Sequence, residues 1–138
     1  MRLWHKDLIP YLPRPQLLGQ WRECCAIAKN ISTKGSPNHI LVNKIMSFPI
    51  EHFRAYARRV YLTARIRGFA VEWSNFTKYL DVSPVFVSDQ ILFDDWHDTR
   101  YLRQCFYNLE EKYDCGGLTD DEWHKIRDNF IRRISYEP

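Results

Sequence analysis

The 138-residue chain lacks any apolar run long enough to cross a membrane, so we expect no transmembrane helix. Its first residues, MRLWHKDLIPYLPR, combine charge with proline and lack the apolar centre of a secretory signal peptide. The four cysteines lack the CxxC spacing that indicates a zinc or redox site, and we assign no metal and no cofactor. Together these absences predict a cytoplasmic protein with reduced thiols.

Carboxylates are scarce in the first part of the chain. Residues 1–80 carry 13 Lys+Arg against 4 Asp+Glu, a net charge of +9, whereas residues 81–138 carry 7 against 13, a net charge of −6. A basic segment favours polyanions as partners, because neutralising phosphates releases condensed counterions. We therefore expect nucleic acid to bind to residues 1–80.

The chain is long enough for one hydrophobic core and too short for two ordinary domains. Helical periodicity dominates, and we predict one all-α domain over residues 1–138: a compact, monomeric helical bundle with an extended N-terminal arm. The predicted elements begin with an arm (1–13), a helix from 14 or 15 to about 30, a short helix (40–47) and a helix (49–68). Residues 69–96 are predicted as short helix and loop, with a strand considered in 82–93. A helix (98–113) follows, and a Thr119–Glu122 capping box opens the last helix.

The helix predicted over residues 49–68 carries a ridge of arginines. A rotation of 100° per residue places Arg54, Arg58 and Arg65 within about 40° of one another. No acidic residue lies between His52 and Gly68, so the ridge has no partner on its own helix. A solvated helix face is the commonest explanation for such a ridge. The alternative, which we favour here, is a surface that faces phosphates.

The stretch QLLGQWRECC, residues 16–25, places an unpaired carboxylate on the first predicted helix. Glu23 falls roughly opposite Trp21, which we take as the centre of the apolar stripe. The small residues Gly19 and Ala26 leave a shallow recess beside it, although glycine inside a helix costs about 1 kcal/mol relative to alanine. The spacing alone is compatible with a solvated carboxylate or with a surface that another molecule approaches closely.

The N-terminal sequence as a whole resembles the pyrimidine dimer DNA glycosylase family, of the endonuclease V type, and is most similar to its cellular branch. The resemblance covers roughly the first 70 residues, and such a long arrangement is more specific than a short motif. The matching features are Met1-Arg2-Leu3, LPR at 12–14, QLLGQ-x-RECC at 16–25, NHILVN at 38–43 and RGF at 67–69.

The resemblance implies a DNA repair glycosylase with AP lyase activity, acting by β-elimination on double-stranded DNA that contains pyrimidine dimers or related base lesions. In this family the terminal α-amine attacks the sugar with help from a glutamate of the first helix, and these roles fall on Met1 and Glu23. Arg2 and Arg22 would then contact phosphates. His39 and Asn43, which we place on one face of the short second helix, are further candidates for DNA contact, as is the Arg54-Arg58-Arg65 ridge.

The family's best-known members expose a small residue after the initiator methionine is removed. Here residue 2 is arginine, which normally prevents that removal, so Met1 itself would supply the amine. An α-amine has a reference pKa of about 7.7 to 8.0, compared with about 10.4 for lysine. At pH 7.4 about a fifth to a third of such amines are neutral and able to attack a carbon atom.

Two alternatives from other classes fit parts of the sequence. A non-catalytic helical module that binds nucleic acid would need only the basic face of residues 1–80. A protein-interaction domain would use the acidic residues 81–138 instead. Covalent trapping on damaged DNA separates the enzyme from both of these alternatives.

Overall fold

The computed structural model describes residues 1–135, and the last three residues of the predicted acidic segment lie outside them. The described backbone is helical and contains no β-strand, which confirms the all-α prediction. Residues 82–93, where a strand was considered, form irregular backbone and turns. The α-helices are α1 (Arg14–Lys34), α2 (Ile50–Ile66), α3 (Ser74–Thr77), α4 (Thr99–Asp114) and α5 (Asp120–Ser135), and there are two 3-10 helices, Lys6–Tyr11 and Asn43–Ser47.

The N-terminal segment differs from the extended arm predicted for residues 1–13. Residues 1–5 are non-helical, but Lys6–Tyr11 form a 3-10 helix that contains Pro10. The proline ring removes one backbone N–H donor from this helix. The short helix tolerates the loss because the Leu8 and Leu12 N–H groups still donate to carbonyls three residues earlier, at 2.9 and 3.3 Å. The short helix packs against α2 and α5, so the start of the chain is fixed to the body of the protein.

Helix α1 continues four residues beyond the predicted end near Asn30. The polar residues Ser32, Thr33 and Lys34 are helical, and the Thr33 hydroxyl donates to the Lys29 carbonyl at 2.9 Å. Gly35 adopts φ 77°, and its N–H donates to the Ile31 carbonyl at 3.0 Å. The left-handed glycine therefore ends the helix.

One hydrophobic cluster runs through the described residues from Leu3 to Ile134. The predicted apolar stripes of α1, α2, α4 and α5 all contribute to it. The N-terminal segment adds Leu3, Trp4, Leu8, Ile9 and Leu12. Because these residues are buried, the chain terminus has a defined position relative to α1.

Two local predictions about the last helices are confirmed. Thr119 and Glu122 form the capping box: the Thr119 N–H donates to Glu122 Oε1 at 2.9 Å, and the Glu122 N–H donates to Thr119 Oγ1 at 3.2 Å. The helix predicted over 98–113 is observed as α4, with Asp98 as its N-cap. Among residues 1–135, none of the helices combines the length and the apolar character needed to span a membrane.

Candidate active site and DNA-binding face

Gln20 of α1 connects the start of the chain to the first helix. Its side chain is buried, and Oε1 accepts hydrogen bonds from the Trp4 N–H at 2.6 Å and from the Tyr56 hydroxyl at 2.9 Å. Its Nε2 donates to the Arg2 carbonyl at 3.0 Å and to Glu23 Oε2 at 3.3 Å. The amide therefore pairs with backbone groups on both sides of Leu3, which fixes residues 2–4 against α1.

Glu23 lies at the edge of the buried face of α1 and is half-buried, rather than opposite that face as predicted. The reason is that the N-terminal segment covers this side of the helix and buries Gln20. The Arg2 N–H donates to Glu23 Oε2 at 3.4 Å. The Met1 nitrogen is three covalent bonds from the Arg2 nitrogen, so it lies within about 3.6 Å of that nitrogen and within about 7 Å of the carboxylate oxygen. Met1 is 40% exposed, so this residue is open to solvent.

Helix α4 supports the same segment from the other side. The Tyr101 hydroxyl donates to the Leu3 carbonyl, and Arg2 Nη1 lies 3.8 Å from Cys105 Sγ. Burial raises the pKa of Tyr101, which keeps its hydroxyl protonated and able to donate. The Arg2 guanidinium also lies over the Trp4 ring, with Cζ 5.9 Å from the centroid. The acidic half of the chain thus takes part in positioning residues 2 and 3, which the sequence did not indicate.

The exposed side of α1 next to Glu23 is formed by small residues. By helical rotation Gly19 and Ala26 lie about 40° and 60° from Glu23, and Arg22 lies beyond them. A methyl group built on Gly19 would lie 3.8 Å from Arg22 Nη2, and no other atom of the described residues outside this stretch of α1 lies within 4 Å of it. The surface beside the carboxylate is therefore shallow, and a bound molecule can come close to the helix backbone.

Trp73 contacts two arginines of the predicted ridge. The Cζ atoms of Arg54 and Arg58 are 5.5 and 4.9 Å from its ring centroid, and Arg58 Cζ is also 5.1 Å from the Tyr61 ring. The Trp73 ring stacks beside that of Trp21 of α1, with the centroids 6.0 Å apart. A cation–π contact uses the face of a guanidinium and leaves its in-plane N–H groups available to phosphate oxygens. We call these five residues the Trp73 cluster.

The neighbouring Arg59 has a different role. Its Nε and Nη2 donate to Asp89 Oδ1 at 3.0 and 2.9 Å, and Nη2 also donates to the Val87 carbonyl at 2.9 Å. Arg59 therefore joins α2 to the 82–93 segment, whereas Arg65 on the ridge is exposed. One helix carries arginines that stabilise the fold and arginines that face outwards.

A sequence model for the family described as pyrimidine dimer DNA glycosylase matches residues 1–75. The chain belongs to this family. The match contains every predicted site residue from Met1 to Arg65, as well as Trp73. The family acts on DNA, which makes DNA the partner of this glycosylase. Neither the curated proteins nor the solved structures contain a match to the chain.

His39 and Asn43 of this glycosylase do not share a helix face, which corrects the prediction. The second helix begins only at Asn43, and His39 lies in the preceding turn. Asn43 Oδ1 accepts from the His39 N–H at 3.1 Å, and His39 Nδ1 accepts from the Leu41 N–H at 3.2 Å. Both side chains satisfy backbone donors of the turn, so their first role is to shape residues 39–43.

Sequence reasoning missed two residues that organise the site of this pyrimidine dimer DNA glycosylase. The sequence pattern assigns no role to Gln20, because a glutamine on a helix is usually exposed. Trp73 lies in a segment without helical periodicity, and no local pattern links it to α2. Its proximity to the arginine ridge arises from the turn that follows Gly68, where φ is 83°.

Proposed function

We propose that this pyrimidine dimer DNA glycosylase also acts as an AP lyase, with the α-amine of Met1 as nucleophile and Glu23 as the assisting carboxylate. The observation that carries this proposal is the hydrogen bond from the Arg2 N–H to Glu23 Oε2, at 3.4 Å. It brings the first nitrogen of the chain close to a half-buried carboxylate, and the Gln20 amide holds both partners. The shallow surface at Gly19 and Ala26 gives a deoxyribose access to this position.

The reaction begins when the neutral amine attacks C1′ of the damaged nucleotide. The new N–C bond replaces the glycosidic bond, whose electron pair leaves with the base, and the base takes up a proton. Ring opening then gives a Schiff base between Met1 and the sugar. Glu23 stabilises the positive charge that develops on the sugar and transfers protons while the imine forms and the 3′ phosphate is eliminated. In a pyrimidine dimer the base that leaves the sugar stays joined to its neighbour through the cyclobutane ring. Water then hydrolyses the imine, which leaves a nicked strand and the free Met1 amine.

The proposed DNA-binding face extends from Glu23 across the exposed side of α1 to the Trp73 cluster. In this arrangement Arg22, Arg54, Arg58 and Arg65 contact backbone phosphates, and Arg2 lies next to the reacting sugar. His39 and Asn43 shape the turn at one end of the face and contribute surface polar groups there. We propose that the protein acts as a monomer.

Borohydride trapping on duplex DNA with a pyrimidine dimer tests the mechanism. We expect a covalent adduct that peptide mass spectrometry assigns to the Met1 nitrogen. Acetylation of the terminus should abolish both the adduct and the nick, because an amide nitrogen is not nucleophilic. Mass spectrometry of the mature protein should also find Met1 with a free amine.

The Glu23→Gln variant should nick the same duplex at least about 100-fold more slowly than the wild type, since a general acid–base group contributes on the order of 10² to 10⁴ in rate. Glu111→Gln, at an exposed position of α4, serves as the matched control and should retain full activity. Full nicking by Glu23→Gln would reject the assigned role. Salt-sensitive DNA binding with no adduct and no nick would favour the non-catalytic binding module instead.

A further inference from the structure

The turn that follows α1 presents apolar side chains to solvent. Ile40 is 84% exposed and Leu41 is 50% exposed, and the nearby Met46 is 47% exposed. Asn38, with φ 63°, reverses the chain just before them, and the His39–Asn43 hydrogen bond closes the turn behind them. The backbone of the turn is therefore ordered, and Ile40 and Leu41 form a fixed apolar tip.

This tip is anchored on the same edge of α1 as Glu23. Asn30 Nδ2 donates to the Pro37 carbonyl at 3.1 Å, which ties the turn to α1. Asn30 follows Glu23 by seven residues, so the two side chains differ by about 20° around the helix and by about 10.5 Å along it. The anchor of the turn thus lies within about three base-pair steps, at 3.4 Å each, of a nucleotide held at Glu23.

The surroundings of the tip are complementary to a polyanion. The sequence contains no carboxylate between Glu23 and Glu51, and the exposed lysines in this stretch are Lys29, Lys34 and Lys44. Two exposed aliphatic side chains in a stretch whose charged side chains are all lysines match the chemistry of DNA, in which apolar base faces lie between two rows of phosphates.

We propose that Ile40 and Leu41 insert between bases beside the lesion and stabilise the unstacked duplex while the sugar lies at Glu23. Apolar wedges of this kind separate a base step and bend the duplex, and the opened helix exposes a nucleotide to a reacting group. The inference rests on the proposed function for the position of the sugar. The insertion itself requires only binding to a damaged duplex.

A dimer-containing duplex with 2-aminopurine next to the lesion tests the wedge directly, because its fluorescence rises when the base unstacks. We expect the wild-type protein to raise the fluorescence several-fold, and the Ile40→Ala/Leu41→Ala double variant to give less than a third of that rise at saturating protein. The variant should also nick the dimer duplex at least 10-fold more slowly, while nicking of single-stranded dimer DNA stays within 2-fold. Ile66→Ala, an isoleucine on α2 that is 85% exposed, is the matched control and should behave like the wild type.

A double variant with wild-type fluorescence and nicking would overturn the wedge, as would the absence of a fluorescence rise with the wild-type protein. The wedge would also be overturned if the wild-type protein sediments as a homodimer and the double variant as a monomer. The last result would assign the tip to self-association. Unstacking without a Met1 adduct would reject the proposed catalysis and leave the wedge supported. A Met1 adduct, together with a double variant that unstacks and nicks DNA like the wild type, would reject the wedge and support the proposed catalysis. Thermal unfolding of each variant verifies that the fold is retained.

Discussion

Gln20 explains, at the scale of a single residue, how this chain keeps its first residues beside a carboxylate. A buried amide is stable only when its donors and acceptors are paired, and Gln20 pairs with the Trp4 N–H, the Arg2 carbonyl and Glu23. An apolar residue at this position would fill the space but leave two buried backbone groups without partners. The glutamine thus links fold stability to the geometry of the candidate site.

Replacing Gln20 with alanine should lower the free energy of unfolding by about 2 to 4 kcal/mol, because the Trp4 N–H and the Arg2 carbonyl lose their partners. Urea unfolding followed by circular dichroism measures this change. Gln104→Ala, at an exposed position of α4, should change stability by less than about 0.5 kcal/mol. A Gln20→Ala variant as stable as the wild type would show that the amide network is not important for the fold.

At the scale of elements, α1 and α2 each carry residues that stabilise the fold and residues whose identity the fold does not require. Helix α2 places Arg59 in bonds to the 82–93 segment, while Arg58 contacts only aromatic rings in the described contacts. Helix α1 carries Gly19 in its interior, where space for a methyl group exists. Arg58 and Arg59 on α2, and the glycines Gly19 and Gly35 of α1 and its C-cap, therefore provide matched pairs of variants.

Arg58→Ala should weaken binding to all duplexes to a similar extent and reduce the slope of log K against log salt by about 1, because one phosphate contact is lost. Arg59→Ala should leave that slope unchanged and lower the free energy of unfolding by about 1 to 2 kcal/mol through its lost hydrogen bonds. Fluorescence anisotropy at several salt concentrations, together with urea unfolding, distinguishes the two effects. Equal salt slopes for Arg58→Ala and the wild type would exclude Arg58 from the interface.

Gly19→Ala should raise the free energy of unfolding by about 0.5 to 1 kcal/mol, since alanine is the better helix former and the added methyl group meets no close contact. The same variant should nick lesion DNA more slowly, because the methyl group occupies the surface beside Glu23. Gly35→Ala is the contrasting control: its φ of 77° makes alanine destabilising by about 1 kcal/mol. Gly19→Ala with full activity would show that nothing approaches the helix there.

At the scale of the whole molecule, the basic and acidic parts of the chain share one core, and both hold the N-terminal segment. His97, which precedes α4, accepts from the Lys6 N–H through Nδ1 at 2.9 Å, and its carbonyl accepts from His5 Nε2 at 2.9 Å. His5 Nδ1 in turn accepts from the Asp7 N–H at 3.1 Å. Both acceptor nitrogens are unprotonated in these bonds, so this junction requires neutral imidazoles.

Stability should fall in mild acid. Burial lowers the pKa of His5 to about 4 against an opposing effect of Asp7, and burial lowers the pKa of His97 well below its usual value. An unfolded histidine titrates near 6.5, so between about pH 6.5 and 4 the unfolded chain binds protons that the folded chain excludes. The stabilisation is complete above about pH 6.5 and is lost as the pH falls towards 4.

Urea unfolding between pH 5.0 and 7.5 measures this dependence, in a range where most carboxylates remain ionised. His5→Gln should reduce the change in unfolding free energy across that range, whereas His124→Gln, at an exposed position of α5, should leave it unaltered. A wild-type stability that is flat over this range would contradict neutral, buried imidazoles.

Much of the architecture could be predicted from periodicity. The helices that became α1, α2, α4 and α5 were identified because their apolar residues repeat at helical spacing, and local signals such as the Thr119–Glu122 capping box fixed some ends. The arginine ridge was identified by the same rotation argument. Predictions were less accurate where backbone turns decide the structure, as at His39 and Asn43, since short polar segments admit several hydrogen-bonding patterns.

The amino-acid sequence by itself determined the helical class, the charge asymmetry and the family resemblance, because helical periodicity, composition and long motifs are properties of the chain alone. Only the tertiary structure decided that Gln20 is buried, that Trp73 contacts Arg54 and Arg58, and that Tyr101 supports Leu3. These contacts join residues between 15 and 98 positions apart in the sequence. Such relations depend on how the elements pack, and no local pattern encodes them.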